Sequence, residues 1–166
     1  MNRALLFCGL LYKDRDYRNR AISELVDSYG EIKSYSKTLN FSSFSNYYEA
    51  ELGDEIIREW ILFSEMIDLD HLYEKKVNSC SIENHFRRDG MRTVNIDPGV
   101  ITLNNLQLLT TKNFAHRIYI GEGIYCEVTL LFTRTGIKHL DWTYPDYKTI
   151  EAGDFFKEAR RSLKNT

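Results

Sequence analysis

The chain has 166 residues, 43% of them hydrophobic, enough to close one sizeable core and to form one domain over residues 1–166. Its 22 Lys and Arg against 24 Asp and Glu give a formal charge of −2, a field too weak to draw the protein to nucleic acid or to an anionic membrane. A basic DNA- or RNA-binding surface is therefore disfavoured.

Three cysteines without a CxxC pair argue against a disulfide framework or a zinc knuckle. The opening MNRALLFCGLLYKDRD has an apolar run too short to span a bilayer and no small-residue cleavage site, so a soluble, cytoplasmic protein is expected. Charge is unevenly spread: residues 1–90 carry 12 basic and 16 acidic side chains, residues 91–166 carry 10 and 8. Residues 49–70 alone hold eight acids and one base, Arg58. Such a run is either a solvated face or a surface for the net-positive half of a second copy.

Leu5 to Tyr12 is a short apolar run bounded by charge and reads as a buried strand. Asp14 is placed to cap a helix with apolar positions at Tyr17, Ala21, Ile22, Leu25, Val26 and Tyr29, and Gly30 to end it. Glu31 to Phe41 alternates as a half-exposed strand with Tyr35, Leu39 and Phe41 on one face. SSFSNYYEAELG, 42–53, reads as a loop or short helical turn with paired tyrosines. Ile57 to Ile67 fits both periods, and its aromatic and β-branched content favours a strand.

Asp68 could then cap a second helix running to about Arg88, with Leu69, Leu72, Tyr73, the Lys76 stem, Val77 and Cys80 inward. Strands follow at 93–96, around Asn104-Asn105, and at 116–120, 124–132 and 137–142, with turn signals at Asn-Asn and Gly121-Glu122-Gly123. A last helix, 149–163, presents Phe155, Phe156, Ala159 and Leu163. The order predicts an α+β fold: a ferredoxin-like (βαββαβ) core extended by C-terminal antiparallel strands and a terminal helix.

Polar residues that could do chemistry gather in the C-terminal β region. Asp97-Pro98-Gly99 reads as a tight turn, which could also present Asp97 as a metal ligand; Asp146 is a second acid for a divalent cation. Lys112, Asn113 and Arg117 suit a phosphate or carboxylate, and His116 can exchange a proton near neutral pH. Were His116 and Arg117 both in a strand they would point to opposite faces. In IYCEVTLLF strict alternation puts Ile124, Cys126, Val128, Leu130 and Phe132 on one face and Glu127 on the other. A carboxylate in so apolar a strand is either the buried partner of Arg117 or Lys112 or a functional acid. DWTYPDY forms an aromatic loop in which Tyr144 could stack on a planar ligand. Phosphate loops, dinucleotide fingerprints, HExxH and GxSxG are absent from the sequence.

VNIDPG, TTKNFAHRIYIGEGIYCEVTL and WTYPDY, preceded by YYEAELG and MIDLDHLYEKK, resemble the signature of a prokaryotic family known as a domain of unknown function, numbered forty-four sixteen. The similarity runs from the first strand to the final helix. It implies that Tyr47, Tyr48, Glu49 and Gly53 form one motif, Asp97 to Gly99 a second, a third running from Thr111 to Glu127, and Trp142 to Tyr147 a fourth. Two positions depart from the family pattern: Val100, where an aromatic usually follows the glycine, and Cys80, where Asn is usual. If they touch a ligand, this member binds it differently. Some members carry a nucleotide-binding label, for which this chain has no phosphate loop.

Two functions are weighed. In the first, the protein binds, or hydrolyses or transfers, a small anionic, phosphate-bearing or nucleotide-like ligand, held by Lys112, Asn113, Arg117 and Tyr144. His116 and Glu127 are then the acid–base pair, and Asp97 and Asp146 hold the cation. In the second it is a non-enzymatic interaction module or homo-oligomer. RNA binding on an open sheet face is a third and weaker possibility.

Overall fold

Strand β1, Arg3–Tyr12, is the centre of the protein, and every residue of it except Arg3 is buried. A strand covered on both faces has no reason to alternate polar and apolar residues, which explains its unbroken apolar run. The computed structural model describes residues 3–164. Around β1 lies one antiparallel nine-stranded sheet in the order β2-β4-β1-β5-β6-β8-β7. Its strands are β2 (Ile32–Tyr35), β3 (Leu39–Asn40), β4 (Ile57–Asp68), β5 (Val94–Ile101), β6 (Asn105–Thr110), β7 (Ile118–Gly121), β8 (Ile124–Phe132) and β9 (Ile137–His139). Strand β3 lies beside β4, and β9 beside β8.

Helices α1 (Arg15–Tyr29) and α3 (Tyr73–His85) cover one face, and α4 (Ile150–Lys164) covers the other. Ala4, Leu6, Cys8 and Leu10 of β1 meet Ala21 and Leu25 of α1 and Ile82 of α3. The alternate residues Leu5 and Phe7 meet Trp60 of β4 and Phe156 of α4, with the Phe7 and Phe156 rings edge to face at 5.2 Å. A smaller cluster of Leu11, Phe41 and Ile56 with Leu52 of the short helix α2 (Glu49–Leu52) closes the end of that second face. The α+β class is as expected, and no helix among the described residues is long and apolar enough to cross a membrane.

Helix α1 begins and ends where its sequence says: Asp14 accepts the Asp16 N–H, and Gly30, at φ 91°, donates to the Val26 carbonyl. Five expectations differ from the structure. The strand expected over 31–41 is broken after Tyr35, and it is Ile32 and Ser34, not Tyr35, that turn inward. Asp68 does not cap a helix but closes β4 opposite Arg3, and α3 starts only at Tyr73. The inner face of α3 is Lys76, Ser79, Ile82 and Glu83, while Val77 is exposed. Strand β8 carries an extra residue opposite the Leu106–Gln107 step of β6, so the alternation reverses: Ile124 faces the α1/α3 side and Leu130 and Phe132 the α4 side.

Asp97-Pro98-Gly99, the fifth, is not a turn but the middle of β5, opposite Gly9, Cys8 and Phe7 of β1. Proline survives there because β5 has a second strand neighbour only from Gly99 onward. Backbone groups of alternate residues face the same strand edge, so Pro98 lacks its N–H on the edge that Ile96 also uses, away from β1. Gly99 is needed for space: a Cβ there would come within 2.4 Å of the Gln107 carbonyl oxygen and 2.6 Å of the Phe7 ring.

Candidate ligand cavity

Strands β5 and β6 pair through only three residues, Gly99 to Ile101 against Leu106 to Leu108, and then part. On the open edge of β5 two side chains of α3 replace the missing strand. Glu83 Oε1 accepts the Ile96 N–H at 2.7 Å, and Lys76 Nζ donates to the Ile96 carbonyl at 2.9 Å. Beyond them the gap widens into a cavity of about 500 Å³, lined from both sides of the sheet.

Its floor is a set of buried ion pairs. Arg58 of β4 donates through Nε to Asp146 at 2.8 Å, and its Nη1 lies 3.7 Å from Asp97, which is itself 3.5 Å from Lys76. Arg58 Nη1 is buried without a hydrogen-bond partner among the described residues. It sits over Gly9, where a Cβ would approach it to 2.8 Å. Burial works against the charges of Arg58 and Lys76, but the acids around them outweigh it and hold both pKa values above their ordinary ones. Burial also pushes the Glu83 carboxyl up, in spite of Lys76 beside it. Arg92 bridges Glu51 of α2, at 2.7 and 2.9 Å, to Glu83 at 3.3 Å and Asn95 at 2.8 Å. This hydrogen bonding draws the Glu51 carboxyl below its ordinary range.

The sequence-predicted residues divide between cavity and surroundings. Lys112, Arg117, Glu127, Tyr144, Asp97 and Asp146 all line the cavity, whereas His116 and Asn113 do not. Neither His116 nor Arg117 belongs to a strand, since β7 begins at Ile118; both therefore reach the same carboxylate oxygen. Arg117 Nε donates to Glu127 Oε2 at 2.8 Å, and His116 Nε2 stands 3.0 Å from it with its ring stacked on Trp142. Thr129 donates to the other Glu127 oxygen at 3.0 Å. Arg117 also donates to the Tyr144 hydroxyl and to the Lys112 carbonyl, at 2.8 and 2.9 Å. Glu127 is thus the buried partner of Arg117.

Asp97 and Asp146 do converge, but on Arg58, so a protein cation occupies the place assigned to a metal. No group of three His, Cys, Asp or Glu among the described residues is close enough together to hold an ion. Of the two departures from the family pattern, Cys80 lines the cavity and Val100 lies in the core below α1. Half of the acidic run pairs within the chain: Glu51, Asp54, Glu59 and Asp68 with Arg92, Lys13, Arg18 and Arg3.

Arg58, Lys76, Glu83, Arg92 and Asn95 were not singled out by sequence reasoning as site residues. Lys76 and Glu83, seven residues apart, fall on one helix face, and a charged pair on a face that must be buried was the available signal. Arg58, the lone base in 49–70, was another.

Fold and cavity together define an α+β protein whose sheet opens into a charged pocket. The chain belongs to the family described as a domain of unknown function (DUF4416), whose model matches residues 2–163. No curated protein and no solved structure matches it.

Proposed function

We propose that the protein binds a small anionic, phosphate-bearing ligand in this cavity. One observation carries the proposal: six basic and five acidic side chains line the cavity, and two of the bases, Lys112 and Arg87, have no carboxylate within ion-pair distance among the described residues. A volume of about 500 Å³ is of the size that takes a metabolite. If turnover accompanies binding, Glu127, which lines the cavity with His116 behind it on the same oxygen, is the acid–base group we assign to it.

Thermal unfolding with inorganic phosphate, sugar phosphates and nucleoside monophosphates, with and without magnesium, tests the proposal. A ligand at a hundred times its dissociation constant stabilises the fold by about 2.7 kcal/mol, a readily seen shift. A flat response across the panel overturns binding.

The order β2-β4-β1-β5 and the common face of α1 and α3 support taking these elements as a ferredoxin-like core. A second reading, self-assembly, draws on the end strand β7, whose Ile118 and Tyr119 are 73% and 59% exposed. An exposed strand edge is a template for pairing with another copy. Light scattering that finds only monomer at high concentration rejects it.

A further inference from the structure

We infer that a ligand in this cavity lies with its anionic group at the mouth, where Lys112 and Arg87 stand, and with an uncharged amide or lactam edge on the floor against Arg58 and Asp97; this rests on the binding proposed above. The charges decide the orientation. On the floor Arg58 and Lys76 face Asp97 and Asp146, one Arg92 faces both Glu51 and Glu83, and Arg117 faces Glu127. Bases there are matched or outnumbered by acids, so a phosphate on the floor would meet carboxylates within 4 Å of every base it could touch. The excess positive charge is at the mouth. Among the described residues the Arg87 side chain donates only to the neutral oxygens of Asn84 and Gly90, at 2.8 and 2.6 Å, and that of Lys112 only to the Tyr47 hydroxyl at 2.7 Å. Both side chains are exposed to solvent and both line the cavity.

The floor nevertheless needs a partner. Arg58 is 4% exposed, and its Nη1 is a buried donor with no acceptor. Leaving such a group unpaired is costly, and a ligand atom that accepts from it would remove that cost. The acceptor must be neutral, because the guanidinium is already compensated by Asp146 and Asp97. Asp97 Oδ2, 3.7 Å from Nη1 and only partly buried, offers an acceptor beside that donor. A donor and an acceptor at this spacing match the adjacent C=O and N–H of an amide or lactam. The wall beside them is aromatic: Phe41 lies 5.3 Å from the Arg58 guanidinium and packs on Tyr48.

Calorimetric titration of the full chain distinguishes the two ends. The probes are guanosine and uridine, their 5′-monophosphates, ribose 5-phosphate and inorganic phosphate. The monophosphates should bind more tightly than ribose 5-phosphate. The double variant Lys112→Ala/Arg87→Ala should weaken the monophosphates about tenfold or more, the loss of one to two charge-assisted contacts, and leave the nucleosides unchanged. Arg58→Lys should weaken nucleoside and monophosphate by the same factor. Should Arg58→Lys unfold the protein, Asp97→Asn serves in its place: it should alter nucleoside binding and spare ribose 5-phosphate. Ribose 5-phosphate binding as tightly as the monophosphates, or losing affinity with the floor variants and not with the mouth variant, overturns the orientation while binding itself stands. If no probe binds the wild type, the binding proposal fails and the orientation with it.

Discussion

Glu83 accepts the main-chain N–H of Ile96 at 2.7 Å, in the position that a neighbouring strand's carbonyl would otherwise hold. The cavity depends on this substitution of helix for strand, because without it the open edge of β5 would be buried and unpaired. Glu83→Leu removes the acceptor and leaves Lys76 short of a counter-charge, at an expected cost of about 3–5 kcal/mol. Glu83→Gln keeps an acceptor oxygen and should cost less, about 1–2 kcal/mol. Urea denaturation of both variants measures the difference, and a leucine variant as stable as the wild type would show that the edge is satisfied in another way.

Gly99 and Gly153 should respond in opposite directions to the same change. An alanine Cβ at 99 meets a backbone oxygen that cannot move without β6, so Gly99→Ala is expected to lose about 2–4 kcal/mol or to fail to fold. In α4, nothing lies within 4 Å of a Cβ at 153, and Gly153→Ala should stabilise the helix by about 0.5–1 kcal/mol. Thermal melts of the two variants check both signs.

What was legible in the sequence was local. Asp14 and Gly30 bounded α1 because a cap and a left-handed glycine act within one turn, and Phe156 and Ala159 marked the inner face of α4 by spacing alone. Asp97-Pro98-Gly99 misled for the converse reason. Its local meaning is a turn, and only the missing neighbour beyond β5 lets proline sit in a strand and only the closeness of Gln107 demands the glycine. The cavity was half legible: Lys112, Arg117 and Glu127 come from one short stretch of chain, whereas Arg58, Lys76 and Arg92 reach it from β4, α3 and the segment before β5. The fate of His116 turned on where β7 begins, two residues later than alternation suggested.

The Glu51–Arg92 pair predicts a component of acid sensitivity. Hydrogen bonds from Arg92 hold the Glu51 carboxyl below its ordinary value of 4.5. A carboxyl with a depressed folded pKa adds stability that is present above its unfolded pKa and is lost as pH falls through the folded one. Both side chains are between a fifth and a third exposed, 22% and 28%, so solvent screening limits the effect to about 1 kcal/mol. Glu51→Gln should therefore be less stable than the wild type by that amount at pH 7, and the gap should narrow as pH falls below 4.5. Denaturation midpoints from pH 3 to pH 8 check it; a gap that stays constant over the range would exclude ionisation of Glu51 as its source.

Glu127→Gln tests how one buried carboxylate sets the charge balance of the cavity. The amide keeps the shape of the side chain and a partner for Thr129, but it takes one negative charge from the cavity and leaves Arg117 without its counter-ion. Stability should fall by about 1–3 kcal/mol, since Glu127 is buried and its pair is broken. Anion affinity should rise. Arg117 donates to the Lys112 carbonyl, so its released charge, acting from the floor, adds to the attraction of the mouth for inorganic phosphate. An increase of about three- to tenfold is the size expected for one unit charge acting on a nearby anion in partly solvated surroundings. Calorimetry with orthophosphate measures it, and unchanged or weakened binding in a folded variant would place the anion beyond the reach of Arg117.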